Sequence, residues 1–360
     1  MTIGNVTADS ATDDARSDTA TDDVTTDGAA GDERPVVSIV VVSYNTREMT
    51  LECLESIGTQ TSTPHEVIVI DNASGDGSAE AIAERFPTVQ LIASSENHGF
   101  ARANNIAARR ARGELLLLLN PDTVVLERAI DELVAFARQE PAARIWGGVT
   151  RFGDGSLNPA SCWRRMTLAS IFWRVSSLDR RFPDSPVLNS EAYGGWQRDS
   201  DRPVDIVSGC FLMIDRDLWN DLRGFDETYV MYGEEADLCL RSQHCGAQPM
   251  VTARSQIIHH GGASETVRGH KHTRLIAAKI TLARRYLPVW QRPIGVWLLR
   301  SWPLMRSVVS AAPARFGSGG GSVEVHDGWM QVWRNRPQWW HGYPSAPQSV
   351  ADVSSVGSRP

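Results

Sequence analysis

The chain has 360 residues, 42% of them hydrophobic, and a net charge of −7. That length suits one large α/β domain or two smaller ones, with ample material for a core. Five cysteines without a CxxC pair argue against a disulfide frame or zinc ribbon, and predict reduced thiols in a cytoplasmic protein.

Residues 1–35 hold nine acidic side chains against two arginines, a balance of −7, so the rest of the chain is neutral overall. Almost free of large apolar residues, this leader is expected to be disordered. It lacks the basic start and apolar run of a signal peptide, which predicts no export. From Pro35 to about residue 125, strands and helices alternate. "VVSIVVVSY" is a β-branched run of the kind buried on both faces of a sheet. "TREMTLECLESI" has helical spacing, with Thr46 as its expected cap. "HEVIVIDNAS" predicts a second buried strand, "GSAEAIAERF" a helix, "VQLIAS" a short strand and "GFARANNIAARRA" another helix. "LLLLLNPDTVV" then supplies a leucine strand. The alternation predicts a doubly wound, Rossmann-like, mostly parallel sheet, with ligands beyond the carboxyl ends of its strands. Three strands end in polar clusters: Ser43-Tyr44-Asn45, Asp71-Asn72 and Asn120-Pro121-Asp122. Together they point to a nucleotide site.

Residues 126–205 contain a predicted helix, "ERAIDELVAFARQ", then strands and turns around Gly and Pro. Beyond them, "GFDETYVMYGEEADLCLR" gathers Glu234, Glu235 and Asp237 at a helix start, where the dipole favours negative charge. From Thr266 to Phe316 there are ten Lys or Arg residues and no acid. Trp290, Trp297 and Trp302 lie in that stretch, yet no run reaches the ~18 apolar residues of a spanning helix. Basic residues interleaved with Trp suit a helix on an anionic membrane surface. Packing on the preceding α/β domain or in an oligomer would also use those tryptophans. No nucleic-acid-binding motif accompanies the charge. "GSGGGS" predicts a linker, and the tail "WMQVWRNRPQWWHGY" is rich enough in Trp to dock.

Six segments in order resemble family 2 glycosyltransferases, in particular the bacterial rhamnosyltransferase-like subgroup. They are "SIVVVSYNTREMTLECLESI", "VIVIDNASGDGS", "ENHGFARANN", "LLLLNPDTVV", "SGCFLMIDRDLWNDLRGFDETYVMYGEEADLCLRSQHCG" and "IIHHGGAS", spanning about residues 36–290. The resemblance implies a GT-A fold over residues 36–265. A helical region (266–316) and a linker and tail (317–360) would follow. It also implies inversion, Mg²⁺ or Mn²⁺, and a nucleotide-sugar donor; a carboxylate at Asp71 accepting the N3–H of uracil or thymine would favour the dTDP or UDP type. The acceptor would be a saccharide, polyprenyl-linked, of cell-envelope biosynthesis. Such an enzyme would be peripheral at the inner face of the plasma membrane.

Carried onto this chain, the motifs make Asp122 a metal ligand, His259 a second metal or phosphate contact, and Asp71 a nucleobase or ribose contact. Where many relatives have Asp-x-Asp, this chain has Asn120, which would bind ribose or a metal-bound water. Tyr44 and Asn45 join the donor site; Arg102 would reach a phosphate or stay a solvated helix-face residue. The family's acid pair ends in aspartate, whereas here the base position is Glu235, one methylene longer, with Glu234 holding an acceptor hydroxyl. Asp237 is assigned to structure, Asp226 and Glu227 to the loop turn, and "AYGGWQRDSDRP" to the acceptor pocket. "RGHKHTR" is expected to be a mobile loop, and a zinc cluster of His259, His260, His270 and His272 is a competing use of the histidines. Two other functions remain: a catalytically silent nucleotide-sugar-binding protein, and a sugar nucleotidyltransferase. The latter needs a glycine- and basic-rich phosphate loop near the first strand, absent from this sequence.

Overall fold

The computed structural model describes residues 34–261, 268–316 and 320–344. The acidic leader before Arg34 and the end of the tail, both expected to be disordered, lie outside the described residues. The first half alternates as the sequence predicts: β1 (Val37–Ser43), α1 (Arg47–Gln60), β2 (His65–Asp71), α2 (Ser78–Arg85), β3 (Gln90–Ala93), α3 (Gly99–Ala108) and β4 (Leu115–Leu119). These strands lie in the order β3-β2-β1-β4, all parallel. All seven residues of β1 are buried, because helices cover both faces of the sheet. Val37, Ile39 and Val41 pack with Leu51, Leu54 and Ile57 of α1. Val40 and Val42 point the other way, toward Ala101, Ala103 and Ala107 of α3. Thr46 does stand at the start of α1, but its hydroxyl makes no capping bond; it lies 3.1 Å from Thr50 Oγ1 and 3.4 Å from Ser43 Oγ instead.

The chain continues through β5 (Thr123–Val125), α4 (Ala129–Gln139), β6 (Ile145–Arg151), β7 (Leu157–Asn158), β8 (Cys162–Trp163), α5 (Leu168–Val175) and α6 (Leu178–Arg181). Next come β9 (Arg202–Pro203), β10 (Ile206–Val207), β11 (Phe211–Asp215), α7 (Arg216–Asp221), α8 (Glu234–His244) and β12 (Met250–His259). The sheet extends past β4 in the order β11-β6-β12-β5. β11 runs antiparallel to both of its neighbours, and β12 is parallel to β6 but antiparallel to β5. The sheet is therefore mixed, with its parallel half where the polar strand ends gather. This is an α/β fold of the GT-A kind with a C-terminal helical extension.

That extension consists of α9 (Arg268–Tyr286), α10 (Arg292–Phe316), α11 (Gly320–Arg334) and α12 (Arg336–Trp339). With α5 they bury a separate apolar cluster that includes Ile171, Ile276, Ile280, Leu299, Trp302, Trp329 and Trp339. Trp339 is fully buried and donates its indole N–H to the Val332 carbonyl at 2.8 Å. Two sequence expectations change here. The stretch 268–274, expected to be a mobile loop, is the start of α9, and residues 320–322 of the expected linker begin α11. Packing of an apolar face outweighs weak local propensity in both. The three tryptophans divide: Trp302 is buried, while Trp290 and Trp297 are 69% and 65% exposed. Among the described residues, no helix is long and apolar enough to cross a membrane.

Candidate active site

The β1 and β2 ends are tied together by their own polar side chains. Asn45 adopts a left-handed backbone, φ 52°, which asparagine tolerates. Its amide N–H donates to Ser74 Oγ at 3.0 Å, and its Oδ1 accepts from Gly75 N–H at 2.8 Å. Asp71 is buried; one carboxylate oxygen accepts the Ser74 N–H at 3.0 Å, and Oδ1 has no partner among the described residues. Asn72 does more than turn its own loop. Its amide reaches the Gly99 carbonyl and its Oδ1 accepts the His98 N–H, fixing the start of α3. Tyr44 is 36% exposed beside them.

Strand register assembles the next group. β12 pairs with β5 so that His259 stands opposite Thr123, which brings the imidazole to the Asn120-Pro121-Asp122 turn. His259 Nε2 lies 3.3 Å from Asp122 Oδ1 and 3.4 Å from Asn120 Nδ2. Burial works against ionising Asp122, but the His259 ring outweighs it and holds the carboxyl below its ordinary value. On His259 burial favours the neutral ring, while the Cys210 sulfur and Asp122 raise it to about 10. Asn120 Oδ1 is buried without a partner among the described residues. A carboxylate and an imidazole nitrogen 3.3 Å apart, beside the unpartnered amide oxygen of Asn120, are a donor set that fits a divalent cation whose remaining ligands are phosphate and water. No group of three or more His, Cys, Asp or Glu side chains with metal-ligand geometry occurs among the described residues. The competing zinc cluster also lacks His272, which packs on the Trp329 ring at 4.7 Å; the His270 side chain lies outside the described residues.

The acid pair opens α8. Gly233, with φ 94°, makes the sharp entry that a side chain would strain, and its N–H donates to Glu235 Oε2 at 3.2 Å. Glu234 is buried, with Oε2 unpartnered among the described residues. Burial and then the charge of Glu235 push the Glu234 carboxyl well above its usual range. Burial likewise raises Glu235. Both glutamates line a cavity of about 770 Å³ together with Asn120, His259 and Gly209. Tyr44, Asn45, Asp71, Arg102 and Asp122 are not among its lining residues. Arg102 is half-exposed on α3, 4.0 Å from Glu227.

Asp237 has the structural role expected of it. Fully buried, it accepts from Arg241 at 2.6 Å, Arg285 at 2.8 Å and the Tyr286 hydroxyl at 2.6 Å, locking α8 to α9. Asp226 exceeds its expected turn role: it accepts the Thr228 N–H and also pairs with Arg285 at 2.7 Å. Glu227 accepts from Asn105 at 3.1 Å. "AYGGWQRDSDRP", expected to shape the acceptor pocket, contributes Tyr193, Arg202 and Pro203 to a depression of about 500 Å³. The far wall of the larger cavity instead comes from α5, Glu191 and α9, through Arg174, Lys271, Leu275 and Lys279. Sequence reasoning missed these residues. The available signal was that Lys271 and Lys279, eight apart, are the chain's only two lysines.

The candidate site is thus a parallel half-sheet with polar strand ends beside a cavity lined by Asn120, His259, Glu234 and Glu235. The chain belongs to glycosyl transferase family 2, whose model matches residues 38–220, and it is a glycosyltransferase. Among its relatives is the N-acetylglucosaminyl-diphospho-decaprenol L-rhamnosyltransferase of Mycobacterium tuberculosis, 29% identical over 76% of this chain and 92% of that protein. The O-antigen biosynthesis protein RfbC of Myxococcus xanthus is 31% identical over 64% of this chain, but over only 18% of its own length. A solved structure, the mannosyltransferase PcManGT of Pyrobaculum calidifontis with GDP-Man and Mn²⁺, is 18% identical with a TM-score of 0.49, covering 90% of this chain and 87% of that one.

Proposed function

We propose that this glycosyltransferase moves a sugar, with inversion, from a pyrimidine nucleoside-diphosphate donor to a polyprenyl-diphosphate-linked saccharide. The observation that carries the reading is the shared cavity, lined by Glu235, Asn120 and His259 together. Glu235 would take the proton of the attacking hydroxyl, and its raised carboxyl suits a base working near neutral pH. Glu234, held protonated by burial, would donate a hydrogen bond to an acceptor oxygen. Asp71 Oδ1 would accept the N3–H of uracil or thymine, with Tyr44 and Asn45 flanking the base. Arg102 would have to leave Glu227 to reach a donor phosphate. Mg²⁺ or Mn²⁺, held by Asp122 and His259, would neutralise the charge that develops on the leaving diphosphate. The name of the mycobacterial relative supports a lipid-linked acceptor and rhamnose as the donor sugar.

A membrane setting has independent support. Trp290, Ile294, Trp297, Leu304, Met305 and Val308 are all exposed and recur along one face of the segment that ends in α10. In a stretch without acids, that face suits the interface of an anionic leaflet. A thermal-shift panel with Mn²⁺ or Mg²⁺ and UDP, dTDP, GDP or CMP tests the donor site. Expected is a metal-dependent rise with a pyrimidine diphosphate, abolished by Asp122→Ala. Folded wild-type protein that responds to no nucleotide would refute the reading in favour of a silent fold.

A further inference from the structure

The cavity beside the acid pair has a second chemical character that sugar transfer alone leaves unexplained. Both lysines of the chain, Lys271 and Lys279, lie on the face of α9 that lines it. Leu275 and Leu282 occupy the same face between and after them, at the helical spacing that puts such residues in one strip. Lys279 Nζ is 2.5 Å from Glu191 Oε1, and Arg174 lies 3.3 Å from the same oxygen. Two cations thus share one carboxylate at the cavity wall. Burial opposes ionising Glu191, yet Arg174 and Lys279 outweigh it and hold the carboxyl down at about 2, so its single negative charge is already committed. Lys271, exposed at the rim, makes no ion pair among the described residues. The ion pair is continued along the same face of α9 by Lys271 and two leucines, all lining the cavity.

We propose that this wall binds the diphosphate of a prenyl diphosphate, with Lys271 and Lys279 as its cations and Leu275 and Leu282 as the first contacts of the chain. The inference rests on the lipid-linked acceptor reading above and adds where the lipid enters: along α9, opposite the donor strands. Lysine suits the task as a flexible point charge able to follow a diphosphate that must arrive and leave. Glu235 lines the same cavity, so an acceptor whose diphosphate rests on this wall has its sugar in the space that Glu235 faces.

The test uses the full chain with Mn²⁺ and saturated with the nucleoside diphosphate it binds, so that the donor side is filled. Farnesyl diphosphate, farnesol and inorganic diphosphate are titrated by calorimetry. Farnesyl diphosphate is expected to bind at least tenfold more tightly than either of its halves. Lys271→Met should weaken it about tenfold, the scale of one charge-assisted hydrogen bond, with the nucleotide-induced thermal shift unchanged. Lys279→Met, checked for an intact melting transition, should weaken it further. Equal affinity in wild type and Lys271→Met overturns the proposal, as does inorganic diphosphate or farnesol binding as tightly as the conjugate. If nucleotide still shifts the melt but farnesyl diphosphate does not bind, this site falls while the transferase reading stands. Loss of the nucleotide response in the wild type would instead remove the reading beneath it.

Discussion

Glu235→Gln separates the enzyme's chemistry from its stability. The amide keeps the shape of the carboxylate but cannot take a proton. Removing a positioned general base lowers turnover about 10²–10⁴-fold, equivalent to about 3 to 5 kcal/mol of barrier. Stability should move the other way. Burial raises the Glu235 carboxyl above its ordinary value of 4.5, although its hydrogen bonds to the Gly233 and Ala236 amides and the field of Lys279 resist the shift. The folded state therefore holds this proton more firmly than the unfolded chain. That contribution is complete below pH 4.5 and is lost as pH rises through the folded value. At neutral pH the ionised side chain is a burden on the fold, made heavier by Glu234 next to it. The glutamine variant should melt higher than wild type and turn over far more slowly, with donor-induced thermal shifts intact. The acid limb of kcat/KM, placed above the ordinary glutamate range in wild type, should disappear. Acceptor-dependent release of nucleoside diphosphate and a melting curve measure both sides. Turnover within threefold of wild type, or a lower melting point, would refute the assignment.

Arg285→Met removes the cation shared by Asp226 and fully buried Asp237. Because Asp237 keeps Arg241, the loss should sit near the lower end for a broken buried pair, about 3 kcal/mol; urea unfolding showing under 1 kcal/mol would contradict it. The double variant Trp290→Ala, Trp297→Ala removes two exposed rings, so its melting point should match wild type. Its binding to phosphatidylglycerol vesicles should fall at least tenfold in a sedimentation assay, and unchanged binding would reject that face as the membrane contact.

In the first half of the sheet β1 and β4 were readable because they are buried on both faces and need continuous apolar runs such as "SIVVV" and "LLLLL". Pro, Asn and Asp then mark their ends without ambiguity. β11 was harder to place, since "FLMID" has the same apolar character and nothing in it states that the strand runs antiparallel between β4 and β6. Asp122, His259 and the acid pair were legible through motifs, but their mutual geometry depends on the pairing of β12 with β5, a long-range register that local sequence does not encode. The α9 wall escaped notice for a related reason. Its residues are spread over α5, Glu191 and α9, and each alone reads as a surface Arg, Glu or Lys. The start of α9 was misread because "RGHKHTR" is polar and holds a glycine, while the apolar residues that fix it as a helix follow after it.

The Asn120–His259 contact joins residues 139 apart in sequence, and the later partner arrives on the last strand of the sheet. A nascent chain that has folded its parallel half already presents Asp71 and Asp122, but it has no imidazole beside them. The Asn120–Asp122 turn therefore meets its imidazole partner only once β12 has been made and docked.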